Sequence, residues 1–364
     1  MYAKAHLQEI LQHFKINALD VKVEAMNEGH IHNSLKVLNK TAKNNDYLLQ
    51  KINQSVFQNV EKLMVSIDLV TKHISEKIED HPEKDIFTFR VIPTKAGALF
   101  YKDSQNSYWR LYSFLPETHS FQKIESPEIA FECGKILGQF INLLSDLPVE
   151  KVYTSIPNFH NLAMRWEAFK KALEENAHNR ANLANAQIDF AFQKIEKLLN
   201  FHHYIEAGFV PKRVTHNDTK CNNVLFDKKN KAVALVDLDT VMSGSVLFDF
   251  GDAIRTGANT AEEDEKNLGK VTLNLNLFKS YTQGFLKTTQ SILTQNEIAH
   301  LVSSTQFMTF LIGLRFLTDY LSGDIYYKTS YAAHNLTRVK VQWKLLEELE
   351  KNEKEMKKIV NALK

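Results

Sequence analysis

His216, Asp218, Lys220 and Asn223 stand in one short segment with the spacing H-x-D-x-K-x-x-N. A few residues on, a short apolar strand ends in Asp237 and Asp239. These side chains suit phosphoryl transfer, which asks a protein for positioning and charge neutralisation rather than covalent chemistry. Asp218 can orient an attacking hydroxyl and take its proton. The amide oxygen of Asn223 and the carboxylate of Asp237 are hard ligands of the kind Mg²⁺ takes alongside phosphate oxygens. Lys220 can offset charge on the moving group. His216 reads as a loop-bracing histidine rather than a base, and Asp239 as either a second metal ligand or a structural acceptor. The run Asp249-Phe250-Gly251 resembles a metal-binding signature, but it lies beyond a further loop. The metal carboxylate belongs directly after the strand, at Asp237, so Asp249 is expected to brace the loop.

The elements that must hold these groups can be read from periodicity. Residues 224–226 and 232–236 are apolar, with Asp227 to Lys231 between them, and spell a β-hairpin set into a helical region. Upstream, Leu7, Ile10, Leu11 and Phe14 share one helical face. Three β-like runs follow, at 21–26, 34–39 and 47–52, separated by turn-forming residues. A long helix carries Leu63, Ile67, Val70, Ile74 and Ile78, and two more β-like runs at 88–92 and 107–114 complete an antiparallel sheet. Beyond Pro116 the pattern is mostly helical, with stripes at 129–144, 161–177 and 187–201 and a charged helix at 344–364. The expected class is α+β, with a small sheet-bearing lobe over residues 1–115 and a helical lobe over 116–364.

Composition narrows the partners. The formal charge of +2 gives no reason to expect nucleic acid or an anionic membrane. Two cysteines in 364 residues, Cys133 and Cys221, do not make a disulfide framework and suit a reducing, cytoplasmic setting. The N-terminal residues lack the apolar core of a signal peptide. The most apolar later stretch, 307–317, is short and contains Arg315, so no membrane span is expected.

The catalytic segment resembles the aminoglycoside phosphotransferase and choline kinase superfamily. Within it, the run LVDLDTVMSGSVLFDFGDAIRTGANTAEEDE is similar to the N-acetylhexosamine 1-kinase group. The resemblance implies a protein-kinase-like two-lobed fold, ATP with Mg²⁺ as cofactors, Asp218 as base, and Asn223 and Asp237 as metal ligands. It also implies a phosphate-covering loop at residues 28–33, with Gly29 and Asn33 near the nucleotide and His30 near the acceptor. Lys51 is the candidate strand lysine for the phosphates. Its acidic partner on the next helix would be Glu61 or Asp68, of which Glu61 is the choice.

The acceptor is read from residues 301–345. That stretch holds two acids, Asp319 and Asp324, against Arg315, Lys328, Arg338, Lys340 and Lys344, with many aromatics. A cationic acceptor would call for the opposite balance. A neutral sugar fits, contacted by Arg315 and Tyr326, and the expected product is an N-acetylhexosamine 1-phosphate. Kinases of choline, an aminoglycoside or another alcohol, and a nucleotide-binding protein without catalysis, are the alternatives. A monomer or homodimer is expected.

Overall fold

The computed structural model describes residues 2–26, 32–40, 46–79 and 89–364. In chain order it runs α1 (Lys4–Gln12), β1 (Val21–Ala25), β2 (Asn33–Asn39), β3 (Tyr47–Lys51), α2 (Val60–Glu79), β4 (Val91–Ile92), β5 (Tyr101–Lys102) and β6 (Tyr108–Ser113). Then follow α3 (Pro127–Leu143), α4 (Leu162–Glu175), α5 (Asn185–Tyr204), β7 (Arg213–Thr215), β8 (Val224–Phe226), β9 (Ala232–Leu235) and β10 (Met242–Gly244). The chain closes with α6 (Val246–Gly257), α7 (Leu275–Thr289), α8 (Gln295–Leu321) and α9 (His334–Leu363). This is the mixed α+β class expected. Two compact units divide it: Met1–Ser120 with Leu143–Pro157 and Leu225–Ser243, and the remainder. The division is not a single cut at residue 115, because the hairpin region groups with the first unit.

In the first unit an antiparallel sheet has the order β1-β2-β3-β6-β4, with β5 also paired to β6. The two-residue alternation of its strands sets two distinct faces. Leu35, Val37, Leu49, Trp109 and Leu111 pack against Leu7, Ile10 and Leu11 of α1 and against Phe14 just beyond it. The intervening residues Ser34, Gln50, Arg110 and Tyr112 therefore lie on the opposite face, where register pairs Ser34 with Gln50 and Gln50 with Arg110.

In the second unit α3 and α7 cross where both carry glycine. A Cβ on Gly134 would stand 2.0 Å from the carbonyl oxygen of Tyr281, and one on Gly284 would stand 2.0 Å from that of Phe131. Backbone atoms cannot yield as side-chain tips do, so Gly134→Ala forces the helices apart. It should destabilise the protein by about 1–3 kcal/mol, read as a lowered urea midpoint. The same crossing brings together the two cysteines that sequence separates. Their sulfurs lie 3.6 Å apart as buried free thiols, and burial lifts the Cys133 thiol well above its ordinary value.

Helix α8 is longer than the apolar stretch in the sequence indicates. At 27 residues it passes the length and composition test for a membrane span, contrary to expectation, and 83% of its most apolar window is buried inside the protein. A capping box begins it: the Thr294 hydroxyl accepts from the Glu297 N–H, and Glu297 accepts from the N–H of Thr294 at 2.7 Å. Glu297 is fully buried and also takes a two-pronged ion pair from Arg213 at 2.6 and 2.9 Å.

Candidate active site

In the second unit, the loop from Thr215 to Asn223 is shaped by Asp249. Its two carboxylate oxygens accept the backbone N–H groups of His216 and Asn217 at 2.8 and 2.7 Å. Its carbonyl accepts from the Thr219 hydroxyl at 2.7 Å. Those bonds hold Asn217 in the left-handed region, φ 65°, a conformation uncommon outside glycine. Burial pushes the Asp249 carboxyl up to about 7, against the two N–H bonds that favour the anion. The rest of the Asp-Phe-Gly run is structural as well. Phe250 is fully buried among Phe278, Tyr281 and Phe285. Gly251 lets α6 meet α8, since a Cβ there would lie 2.4 Å from the carbonyl oxygen of Ser304.

Asp218 emerges from this braced loop. Its N–H donates to Nδ1 of His216 at 3.3 Å, which makes the histidine a loop partner. The Lys220 ammonium stands 3.1 Å from the Asp218 carboxylate. The side-chain amide of Asn223 donates to the carbonyl of Asp218 at 2.8 Å and to its Oδ2 at 3.3 Å. Anchored by its nitrogen, Asn223 keeps its amide oxygen as a potential metal ligand. The next residue begins β8, which pairs with β9.

In the first unit, Asp237 follows β9 in the left-handed region, φ 63°, and leads into a short 3-10 turn. A backbone held there by surroundings rather than by glycine is often tied to function. Asp239, two residues on, is not available as a metal ligand. Its two oxygens are gripped by the Arg110 guanidinium at 2.5 and 2.6 Å, and Nε2 of His32 lies 3.2 Å away. Burial alone would raise its pKa. Arg110 and His32 overcome that and hold it far below the usual carboxylate range. Arg110 is itself 2% exposed, donates to Gln50 at 3.0 Å and stacks 5.0 Å over Tyr112.

This network corrects the expectation for the strand lysine. Lys51 sits opposite Asn33 and Trp109 in register, on the face that packs against α1. Its ammonium lies 5.9 Å from the Tyr2 ring, and Asn33 donates to the Tyr2 hydroxyl at 2.9 Å. Gln50 and Arg110 occupy the other face. Glu61 is exposed on the first turn of α2, and Asp68 pairs with Lys72 one turn on, so neither reaches Lys51. Gly29 and His30 lie outside the described residues.

Also in the second unit, an aromatic and cationic cluster adjoins the catalytic loop. Arg315 stacks over Phe159, Tyr326 and Tyr327 at 5.2, 5.6 and 5.6 Å and donates to the Tyr326 hydroxyl at 3.4 Å. Arg165 donates to the Phe159 carbonyl at 3.3 Å. His160, tilted against the rings of Phe159 and Phe248, lies against the backbone of Asn217. Asp252 and Arg255 pair at 2.8 Å one turn beyond Asp249, and Glu263 joins Arg255 at 3.0 Å.

Burial pushes the His160 imidazole down to about 3. Asp252 and the Asn217 backbone oppose the shift, and Arg315 and Arg165 add to it. The folded value is below the ordinary 6.5, so the unfolded chain binds more protons between those limits. The associated stability is present above about pH 6.5 and is lost as pH falls toward 3. Urea midpoints at pH 7 and pH 5 should therefore differ less in His160→Gln than in the wild type.

Asn223 in the second unit and Asp237 in the first each carry a hard side-chain oxygen. Among the described residues no group of three or more His, Cys, Asp or Glu side chains could hold a metal unaided. Either oxygen suits Mg²⁺, which typically takes one or two protein oxygens and completes its shell with phosphates and water.

A loop braced by one helix, followed by a hairpin with a carboxylate at its exit, is compatible with phosphoryl transfer, and comparison with protein families gives the class. Residues 85–271 match the phosphotransferase enzyme family known as APH. The chain belongs to that family of phosphotransferases. Solved structures share its fold at low identity. An aminoglycoside phosphotransferase from Alicyclobacillus acidocaldarius aligns over 98% of this chain and 96% of its own, with 11% identity and a TM-score of 0.63. An ethanolamine kinase from Plasmodium vivax aligns over 94% and 90%, with 13% identity and a TM-score of 0.59. The amicoumacin kinase hAmiN, solved with AMP-PNP, Ca²⁺ and Ami, aligns over 94% and 93%, with 10% identity and a TM-score of 0.62.

Proposed function

We propose that this protein transfers the γ-phosphoryl group of ATP, with Mg²⁺, to the anomeric hydroxyl of an N-acetylhexosamine. The hydroxyl oxygen forms the new bond to phosphorus as the bond to the ADP oxygen breaks. Asp218 orients the hydroxyl and takes its proton. Lys220 counters charge on the transferred group. Asn223 and Asp237 would hold the metal, which would supply charge neutralisation of the phosphate oxygens.

The observation that carries the choice of acceptor is the Arg315 guanidinium set over Phe159, Tyr326 and Tyr327. Aromatic faces and an arginine suit a neutral ring rich in hydroxyl and carbonyl acceptors. The test is ADP release with Mg²⁺ and ATP against N-acetylglucosamine, N-acetylgalactosamine, free hexoses, choline, ethanolamine and kanamycin. Turnover with the acetylated sugars at least about 10-fold above the amines supports the reading. Turnover confined to the amines contradicts it.

A further inference from the structure

Arg165 and Arg315 meet across Phe159: one bonds its carbonyl and the other lies over its ring. Among the described residues neither guanidinium has a carboxylate partner. The acids around them are committed elsewhere. Asp252 and Glu263 pair with Arg255. Asp319 accepts the N–H groups of Tyr326 and Tyr327 at 2.8 and 3.0 Å and the Asn335 amide at 2.8 Å. The Nε of Arg165 is buried and has no hydrogen-bond partner, an arrangement that is costly unless something completes it. Burial and the neighbouring Arg315 both work against the charge on Arg165, pulling its pKa down. Two like charges kept together without a counter-ion, beside His160 and hence beside the catalytic loop, form a place for an electron-rich group from outside the chain.

We propose that Arg165 and Arg315 form an electropositive acceptor subsite that selects hydroxyl compounds presenting oxygen acceptors, neutral or anionic, and rejects protonated amines. Placing this subsite beside the acceptor rests on the proposed function; its affinity for oxygen anions does not. Arg165 is the new element, because nothing in its sequence context marks it. In the acetylated sugar the amide carbonyl offers the guanidinium pair an acceptor. In the parent amino sugar the same position carries a positive charge, and like charges across a contact are strongly disfavoured.

Two measurements test this. In the first, kcat/KM is determined at pH 7 for N-acetylglucosamine and glucosamine with the wild type, Arg165→Gln and Arg315→Gln. The preference for the acetylated sugar should narrow by about 10-fold or more in each variant, chiefly through a lower KM for glucosamine. An unchanged preference overturns the proposal. In the second, thermal melts are recorded in inorganic phosphate and in chloride at matched ionic strength. Phosphate should raise Tm more in the wild type than in Arg165→Gln or Arg315→Gln, and an equal rise in all three proteins overturns the subsite. If the wild type phosphorylates neither sugar, the N-acetylhexosamine reading fails by itself and the melts still decide whether the oxygen-anion subsite exists.

Discussion

Asp218→Asn should lower kcat by about 10²- to 10⁴-fold, the range a positioned base contributes, while leaving the KM for ATP within a few-fold of wild type. The amide keeps the shape of the carboxylate and can still accept a hydrogen bond from the acceptor hydroxyl, but it cannot take the proton. Asn223 bonds chiefly to the Asp218 backbone carbonyl, at 2.8 Å against 3.3 Å to its side chain, so the metal-ligand side of the loop should survive. The loop's conformation is set by Asp249 rather than by Asp218, so the variant should also fold normally. Steady-state kinetics of ADP release measures the effect. A variant turning over within 10-fold of wild type would show that Asp218 does not accept the proton.

Arg110→Met should have the largest effect on stability, about 3–5 kcal/mol, because it leaves a buried carboxylate without its cation. Asp239 is 1% exposed, and its charge is sustained by Arg110 first, then His32. The loss has a local consequence. Asp237 lies two residues before Asp239, in the left-handed region, at the start of the short turn that carries the pair. The double variant Arg110→Met with Asp239→Leu should recover much of the stability, since replacing both members of a buried pair with apolar groups costs far less than removing one. Urea denaturation of the single and double variants measures both changes. Equal losses in the two would mean the ion pair is not what Arg110 supplies.

The fold and the loop were legible in the sequence for different reasons. Strands β1, β2 and β3 show as short β-like runs between turn-forming residues and β8 and β9 as short apolar runs around a polar turn, and their ends lie within about two residues of the observed ones. The catalytic loop shows because its chemistry needs four residue types at fixed spacing. Lys51 was misplaced for a physical reason: alternation has period two, so an uncertainty of one residue moves a side chain to the opposite face. Only the pairing of Gln50 with Ser34 and Arg110 shows which face is which. Arg110 was missed, although a lone charge among the aromatic and apolar residues of β6 is the kind of signal that singled out Arg315 in α8. Asp239 could not be assigned as ligand or structural acceptor from sequence because its partners, Arg110 and His32, are distant along the chain. His160 and Arg165 carry no local pattern at all; only packing against Phe159 and Asn217 brings them to notice. Asp252, Arg255 and Glu263 lie inside the run that carries the family resemblance, but spacing alone gave them no role.

In the proposed function the side chains of Asp218, Asn223 and Asp237 serve one Mg²⁺-dependent transfer from ATP to a sugar hydroxyl. Phosphorus-31 NMR of the wild type with ATP, Mg²⁺ and N-acetylglucosamine tests it most directly. The γ-phosphate resonance should be replaced by a phosphomonoester coupled to the anomeric proton, and the change should stop on chelation of the metal. ATP consumed only to inorganic phosphate, or a phosphomonoester formed at full rate after Mg²⁺ is removed, would contradict it.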